Sequence, residues 1–70
     1  MTQRDMVLQY MRDTGSITPM DALNEFGCMR LAARIDELKR RGVEISTDME
    51  SRVNRYGKRV SYARYSISSP

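Results

Sequence analysis

The chain has 70 residues, with 12 basic and 9 acidic side chains, no histidine and one cysteine. This length limits it to one domain with a small core, and a lone Cys28 without histidine argues against both an intrachain disulfide and a zinc site. With no apolar run long enough to cross a membrane and no signal peptide, we expect a cytoplasmic protein without metal, cofactor or membrane contact.

The net charge of +3 is distributed unevenly along the chain. Residues 1–28 carry a net charge of −2, whereas residues 29–42 carry +3 and residues 43–70 carry +2. Positive charge concentrated in the later part of a chain favours a polyanionic partner such as nucleic acid. The simpler alternative is ordinary surface charge.

A first helix is predicted over about residues 3–13. Thr2 is a suitable N-cap, and Val7 and Met11 recur four residues apart on one face. Gly15 can end this helix, because glycine adopts the left-handed conformation common after a helix C-terminus.

A second helix is predicted over about residues 19–25, after a short extended connection in which Ile17 is expected to be buried. Thr18 is a good N-cap, and Pro19 fits the first helical position. Because a helix start attracts anions, Thr18 is also a candidate phosphate clamp, with a plain capping role as the alternative. Three side chains of this helix are expected to face inward: Ala22, Leu23 and Phe26.

A third helix is predicted over about residues 29–41, separated from the second by a tight turn around Gly27. Gly42 can end it. Apolar residues recur along it with helical spacing: Leu31, Ile35 and Leu38. Two helices joined by a tight glycine-containing turn are typical of a helix-turn-helix motif.

The remaining chain, over about residues 43–67, alternates between apolar and polar residues and predicts a long β-hairpin. A three-residue loop at 55–57 would place Gly57 in the left-handed conformation. The resulting register pairs Met49 with Ala63, Thr47 with Tyr65, and Ile45 with Ile67. Three helices followed by a two-stranded hairpin constitute an α+β winged helix-turn-helix domain, here predicted to span residues 1–70.

The start of the third helix carries the residues expected to read base edges. An α-helix fits the major groove, and arginine commonly binds guanine there. Because the first residues of a recognition helix usually reach the bases, we expect base contacts from Arg30, Ala33 and Arg34. Met29 is placed to touch a thymine methyl group.

The later part of the same helix is better placed for the DNA backbone. Arg40 and Arg41 are predicted to contact phosphate. Glu37 is predicted either to read cytosine or to form a salt bridge with Arg34 or Arg41. The alternative for all these residues of the third helix is that they form a solvated face of a bundle helix.

The hairpin tip is the second predicted contact. Its residues expected to bind DNA are Arg52, Asn54, Arg55, Tyr56, Lys58 and Arg59. Because like charges repel, this concentration of cations favours contact with phosphate or the minor groove. The alternative is that these charges keep the hairpin soluble and discourage pairing at its edge.

The sequence resembles small helix-turn-helix domain proteins that are frequent in bacterial phages and prophages, over about residues 3–67. The matching segments are residues 15–19, 22–27, 29–35, 54–58 and 63–65. The resemblance implies a winged helix with a DNA-binding role, with Arg30 and Arg34 in the recognition helix. Larger winged-helix regulators often add dimerisation helices, and the sequence predicts none in these 70 residues.

The predicted function is double-stranded DNA binding, as a transcriptional regulator or a recombination or architectural factor of a phage or mobile element in a bacterial cell. A homodimer is a further prediction. One alternative is a protein-interaction module that inhibits a host protein or nucleoprotein complex. Another is RNA binding, which usually needs more exposed aromatic residues than this chain offers. No catalysis is expected, because histidine is absent and no base is evident for Cys28.

Overall fold

The computed structural model describes residues 1–67, so residues 68–70 of the predicted domain lie outside the described part of the chain. Within residues 1–67 it contains three helices and three strands. In chain order these are α1 (Gln3–Thr14), β1 (Ser16–Ile17), α2 (Pro19–Phe26), α3 (Leu31–Arg40), β2 (Ile45–Val53) and β3 (Arg59–Ile67).

The first two helices begin with the same reciprocal capping arrangement. The amide of Asp5 donates to Thr2 Oγ1 at 3.1 Å, and the amide of Thr2 donates to the Asp5 carboxylate at 3.4 Å. At α2 the equivalent bonds join Thr18 and Asp21 at 3.2 and 3.0 Å. Each box pairs amides that would otherwise lack a partner within the helix. These caps explain why both helices start where the sequence indicates.

The third helix is shorter than the predicted range 29–41. Gly27, at φ 65°, ends α2, and the amide of Cys28 then donates to the carbonyl of Ala22 at 3.1 Å. The chain needs further residues to turn before a helix can resume, so Met29 and Arg30 lie in the turn, with Arg30 in a non-helical conformation. At the other end, Arg41 lies just beyond the helix as its C-cap.

The hairpin register is the predicted one. The observed partners include Met49 with Ala63, Thr47 with Tyr65, and Ile45 with Ile67. At the turn, the amide of Asn54 donates to the carbonyl of Lys58 at 2.8 Å, and Gly57 adopts φ 77°. The left-handed glycine lets the right-handed twist of the two strands continue through a short loop.

The sheet has one strand more than the predicted two-stranded wing. β1 pairs antiparallel with β3 through Ser16 with Ser66 and Ile17 with Tyr65, which gives the order β1-β3-β2. Ile17 is completely buried, so its backbone groups require internal partners, and β3 supplies them. The base of the hairpin is thereby joined to the segment between α1 and α2.

The core lies between the helices and the base of the hairpin. Its buried apolar residues are Val7, Met11, Ile17, Ala22, Cys28, Leu31, Ile35 and Leu38. Phe26 is half-buried and packs edge-to-face against Tyr10, with ring centroids 5.9 Å apart. The prediction for Leu23 was wrong, since 45% of its surface is exposed. Ala22 takes the inward position, and the next residue lies about 100° further around the helix.

Candidate nucleic-acid interface

The wing tip, defined here as residues 52–59, is the most exposed part of the candidate interface. Every residue from 51 to 61 is exposed, and Tyr56 retains 83% of its surface. Within residues 1–67, no salt bridge involves the four wing cations, which are Arg52, Arg55, Lys58 and Arg59. Among residues 1–67, the tip therefore projects positive charges that have no carboxylate within salt-bridge distance.

Asn54 has a structural role at this tip. Its side-chain oxygen accepts hydrogen bonds from the amides of Tyr56 at 2.9 Å and Lys58 at 3.1 Å. These bonds fix the loop that carries Arg55 and Tyr56. A DNA contact by Asn54 stays a prediction, and within its side chain only Nδ2 is free of these loop bonds.

A groove separates the wing from the start of α2 and brings Thr18 to the same side of the molecule as several predicted wing residues. Its lining includes Thr18, Met20, Asp21, Arg52, Arg55, Tyr56, Val60 and Tyr62. Thr18 is only 5% exposed, and its hydroxyl accepts the Asp21 amide. The structure thus gives Thr18 the capping role, and phosphate clamping by this residue stays a prediction.

The base of the wing is held by an ion pair that the sequence analysis did not identify. Nε of Arg64 donates to Glu50 at 2.8 Å, and Nη1 donates to Ser16 Oγ at 2.9 Å, so one guanidinium links all three strands. Hydrogen bonding to Arg64 holds the pKa of the Glu50 carboxyl below its ordinary value, with a smaller contribution from Tyr62. The sequence could have indicated this ion pair, because the predicted register places Glu50 diagonally across from Arg64.

This ion pair predicts a pH dependence of folding stability. The pKa of Glu50 is lowered in the folded state, so the ionised carboxylate stabilises the fold. This contribution is complete above the ordinary carboxyl pKa and is lost as the pH falls through the lowered value. We expect the Glu50→Gln variant to lose less stability than the parent over that acidic range, as measured by urea unfolding at successive pH values. Parallel curves for the two proteins would contradict this assignment.

On α3, Arg34 and Glu37 form the salt bridge that the sequence offered as one alternative, with a distance of 2.9 Å between Nη2 and Oε2. Arg4 of α1 approaches the other carboxylate oxygen at 3.6 Å. Nε of Arg34 is buried, with no hydrogen-bond partner among the described residues. The predicted base-reading arginine therefore lies on the side of α3 next to α1, held by a carboxylate between two guanidinium groups.

The other predicted helix residues differ in how free they are to bind DNA. Met29 is 86% exposed, and Arg30 and Arg41 are exposed with no salt bridge among residues 1–67. Ala33 is half-buried within α3. Arg40 forms an exposed salt bridge with Asp36 at 3.2 Å. Exposed pairs of this kind are weak, so Arg40 can exchange Asp36 for a phosphate at little cost.

Two further findings concern other kinds of site. Among residues 1–67, no three cysteine, aspartate or glutamate side chains are grouped so that they could hold a metal ion. None of the described helices combines the length and apolar character needed to span a membrane.

Comparison with known proteins identifies the family of the chain. A search of curated proteins found no match. The family model described as a winged helix-turn-helix domain matches residues 2–70. Domains of this kind are typically DNA-binding modules without enzymatic activity, so the match suggests a DNA partner. Because the matched region also has the helices and antiparallel sheet of that fold, the chain belongs to the winged helix-turn-helix domain family.

Proposed function

We propose that this protein binds double-stranded DNA through α3 and the wing tip, as a transcriptional regulator or a recombination or architectural factor of a phage or other mobile element. The observation that carries this proposal is the exposed wing tip, whose cations have no salt-bridge partner within residues 1–67. Unneutralised cations on a projecting hairpin are suited to displace counterions from DNA phosphates.

The helix and the wing are proposed to have different tasks. The wing cations supply affinity that does not depend on sequence, because phosphate is the same at every base pair. Base reading is assigned to the turn before α3 and to the first turn of that helix, where exposed Met29 and Arg30 precede Ala33. Arg34 also contributes to base reading. Its salt bridge with Glu37 limits the directions in which its guanidinium group can point.

The proposal is tested by titrating a fluorescent random duplex with the protein at several salt concentrations. We expect the protein to bind the duplex, with the logarithm of the association constant falling steeply and linearly as the logarithm of the salt concentration rises. Absence of binding at low salt by a chain that is folded by circular dichroism would overturn the proposal. That result would favour the protein-interaction alternative, for which α2 offers exposed Met20 and Leu23. Tighter binding to single-stranded RNA than to the duplex would favour RNA recognition instead.

The role of Arg34 predicts a change in sequence preference. We expect Arg34→Ala to relax base choice at one position of the site, because a good arginine–guanine contact discriminates by about 1–3 kcal/mol. The measurement is selection of bound sequences from a random duplex pool. Arg4→Ala is the matched control, since it removes the other guanidinium bound to Glu37. Identical selected sequences for the parent and Arg34→Ala would show that Arg34 does not read a base.

A further inference from the structure

The outer edge of the sheet is formed by β2, a strand of nine residues. At the turn, the Asn54 amide points toward β3, because it donates to Lys58. Backbone groups alternate in direction along a strand, so the odd-numbered positions of β2, including Met49, Ser51 and Val53, direct theirs away from β3. No strand among residues 1–67 pairs with this edge, and such a row of donors and acceptors is a template for another strand.

We propose that this edge pairs antiparallel with β2 of a second copy of the chain, about a two-fold axis at Ser51. Ser51 then lies opposite Ser51 of the second copy. On either side of the axis, Met49 faces Val53 and Glu50 faces Arg52, and each pairing occurs in both directions. The proposal goes beyond DNA binding and does not depend on it.

Exposed apolar side chains on this edge support the pairing. Met49 leaves 69% of its surface exposed, and Val53 leaves 60%. Both lie on the same face of the strand, because side chains two or four residues apart share a face. In the proposed register Met49 of one copy lies directly opposite Val53 of the second copy. Directly opposed side chains of antiparallel strands are in contact, so each shields the other from water. The dimer thus removes from water two apolar side chains that the monomer leaves exposed.

The charges on β2 select this register over its neighbours. A two-fold axis at Asp48 places that carboxylate against itself, and an axis at position 49 places Asp48 against Glu50. An axis at Glu50 or at Arg52 opposes two like charges directly. Only the axis at Ser51, among these adjacent positions, places Glu50 against Arg52. Like charges directly opposite one another destabilise a strand pair, whereas opposite charges stabilise it.

Charged side chains on an edge strand usually prevent pairing with other proteins. Here the same charges exclude the competing registers while they complement a second copy of the chain. Arg52 has no salt bridge within residues 1–67, so it is available to the second copy. Glu50 is bound by Arg64 on one side, and its carboxylate can accept a second guanidinium.

The decisive variant is Ser51→Pro. Proline removes the amide hydrogen that points outward at this position. The hydrogen-bond ladder with β3 stays intact, because Ser51 and Ser61 form a pair that exchanges no backbone hydrogen bonds. Ser61→Pro is the matched control, since it removes an outward amide hydrogen from the opposite edge of the hairpin at the same distance from the turn.

Sedimentation equilibrium over a wide concentration range tests the proposal. We expect the parent and Ser61→Pro to form a reversible dimer, and Ser51→Pro to stay monomeric at the same concentrations. Arg52→Glu, which opposes two pairs of carboxylates, is expected to raise the dimer Kd at least about tenfold. It keeps the test valid if circular dichroism shows that Ser51→Pro is unfolded.

Two outcomes would overturn the proposal. One is a folded parent that is monomeric at every concentration. The other is a parent dimer that persists equally in Ser51→Pro and Arg52→Glu, which would place the interface elsewhere. Duplex titration of the same samples separates this proposal from DNA binding, because a monomer that binds DNA contradicts only the dimer.

Discussion

The double variant Arg55→Ala and Lys58→Ala is expected to bind all duplexes more weakly than the parent, whatever their sequence. Both side chains are exposed at the wing tip and form no salt bridge within residues 1–67, so their removal leaves no carboxylate unpaired. Each phosphate contact contributes about 0.9 to the slope of log K against log salt, so the slope should flatten by about 1.8. Near 0.1 M salt, this corresponds to a loss on the order of tenfold per contact.

Fluorescence anisotropy at a series of salt concentrations measures both quantities. Arg12→Ala and Arg55→Ala each remove one positive charge, so Arg12→Ala is the matched control for Arg55→Ala. Arg12 is exposed near the end of α1 and lines a separate groove with Gly42 and Glu44, none of which borders the groove beside the wing. We expect its slope to match that of the parent. Equal losses in Arg12→Ala and Arg55→Ala would show that net charge alone determines binding and would remove the wing from the interface.

The parts of the fold that could be predicted from sequence depend on local chemistry. Thr2 and Thr18 mark helix starts because their hydroxyls satisfy amides a few residues away. Gly57 marks the hairpin turn because few other residues adopt a positive φ readily. Once this turn is fixed, strand alternation determines the whole register, which explains why distant partners such as Ile45 and Ile67 could be paired correctly.

The parts that could not be predicted depend on how separate elements meet. The closeness of Arg34 and Glu37 follows from their three-residue spacing on a helix, but the proximity of Arg4 depends on the angle at which α1 crosses α3. For the same reason, the sequence did not indicate that Glu37 lies between two guanidinium groups. This matters for function, because the arginine with the most direct predicted role in base reading is also the one most constrained by its neighbours.

The pairing of β1 with β3 was missed for a different reason. A strand of two residues contains no alternation from which a period could be read. The sequence indicated that Ile17 is buried, but burial alone does not identify the backbone partner. In the structure this partner is Tyr65, so Ile17 joins the helical part of the domain to the base of the wing.

Ile17→Ala is therefore expected to have the largest effect on stability of the substitutions considered. Ile17 has no exposed surface, and large-to-alanine changes in a core cost about 2–5 kcal/mol. A domain of this length has a total stability of only about 3–5 kcal/mol, so most of the variant should be unfolded at 37 °C. Urea and thermal unfolding followed by circular dichroism measure the loss.

Leu23→Ala is the matched control, because the sequence pattern and the structure disagree about this residue. The pattern predicts that Leu23 faces the core, whereas the structure leaves 45% of its surface exposed. From the structure, we expect Leu23→Ala to cost about 1 kcal/mol or less, which is well below the cost of Ile17→Ala. Similar losses in the two variants would mean that α2 is rotated so that Leu23 faces the core, and the groove beside the wing would then have a different lining.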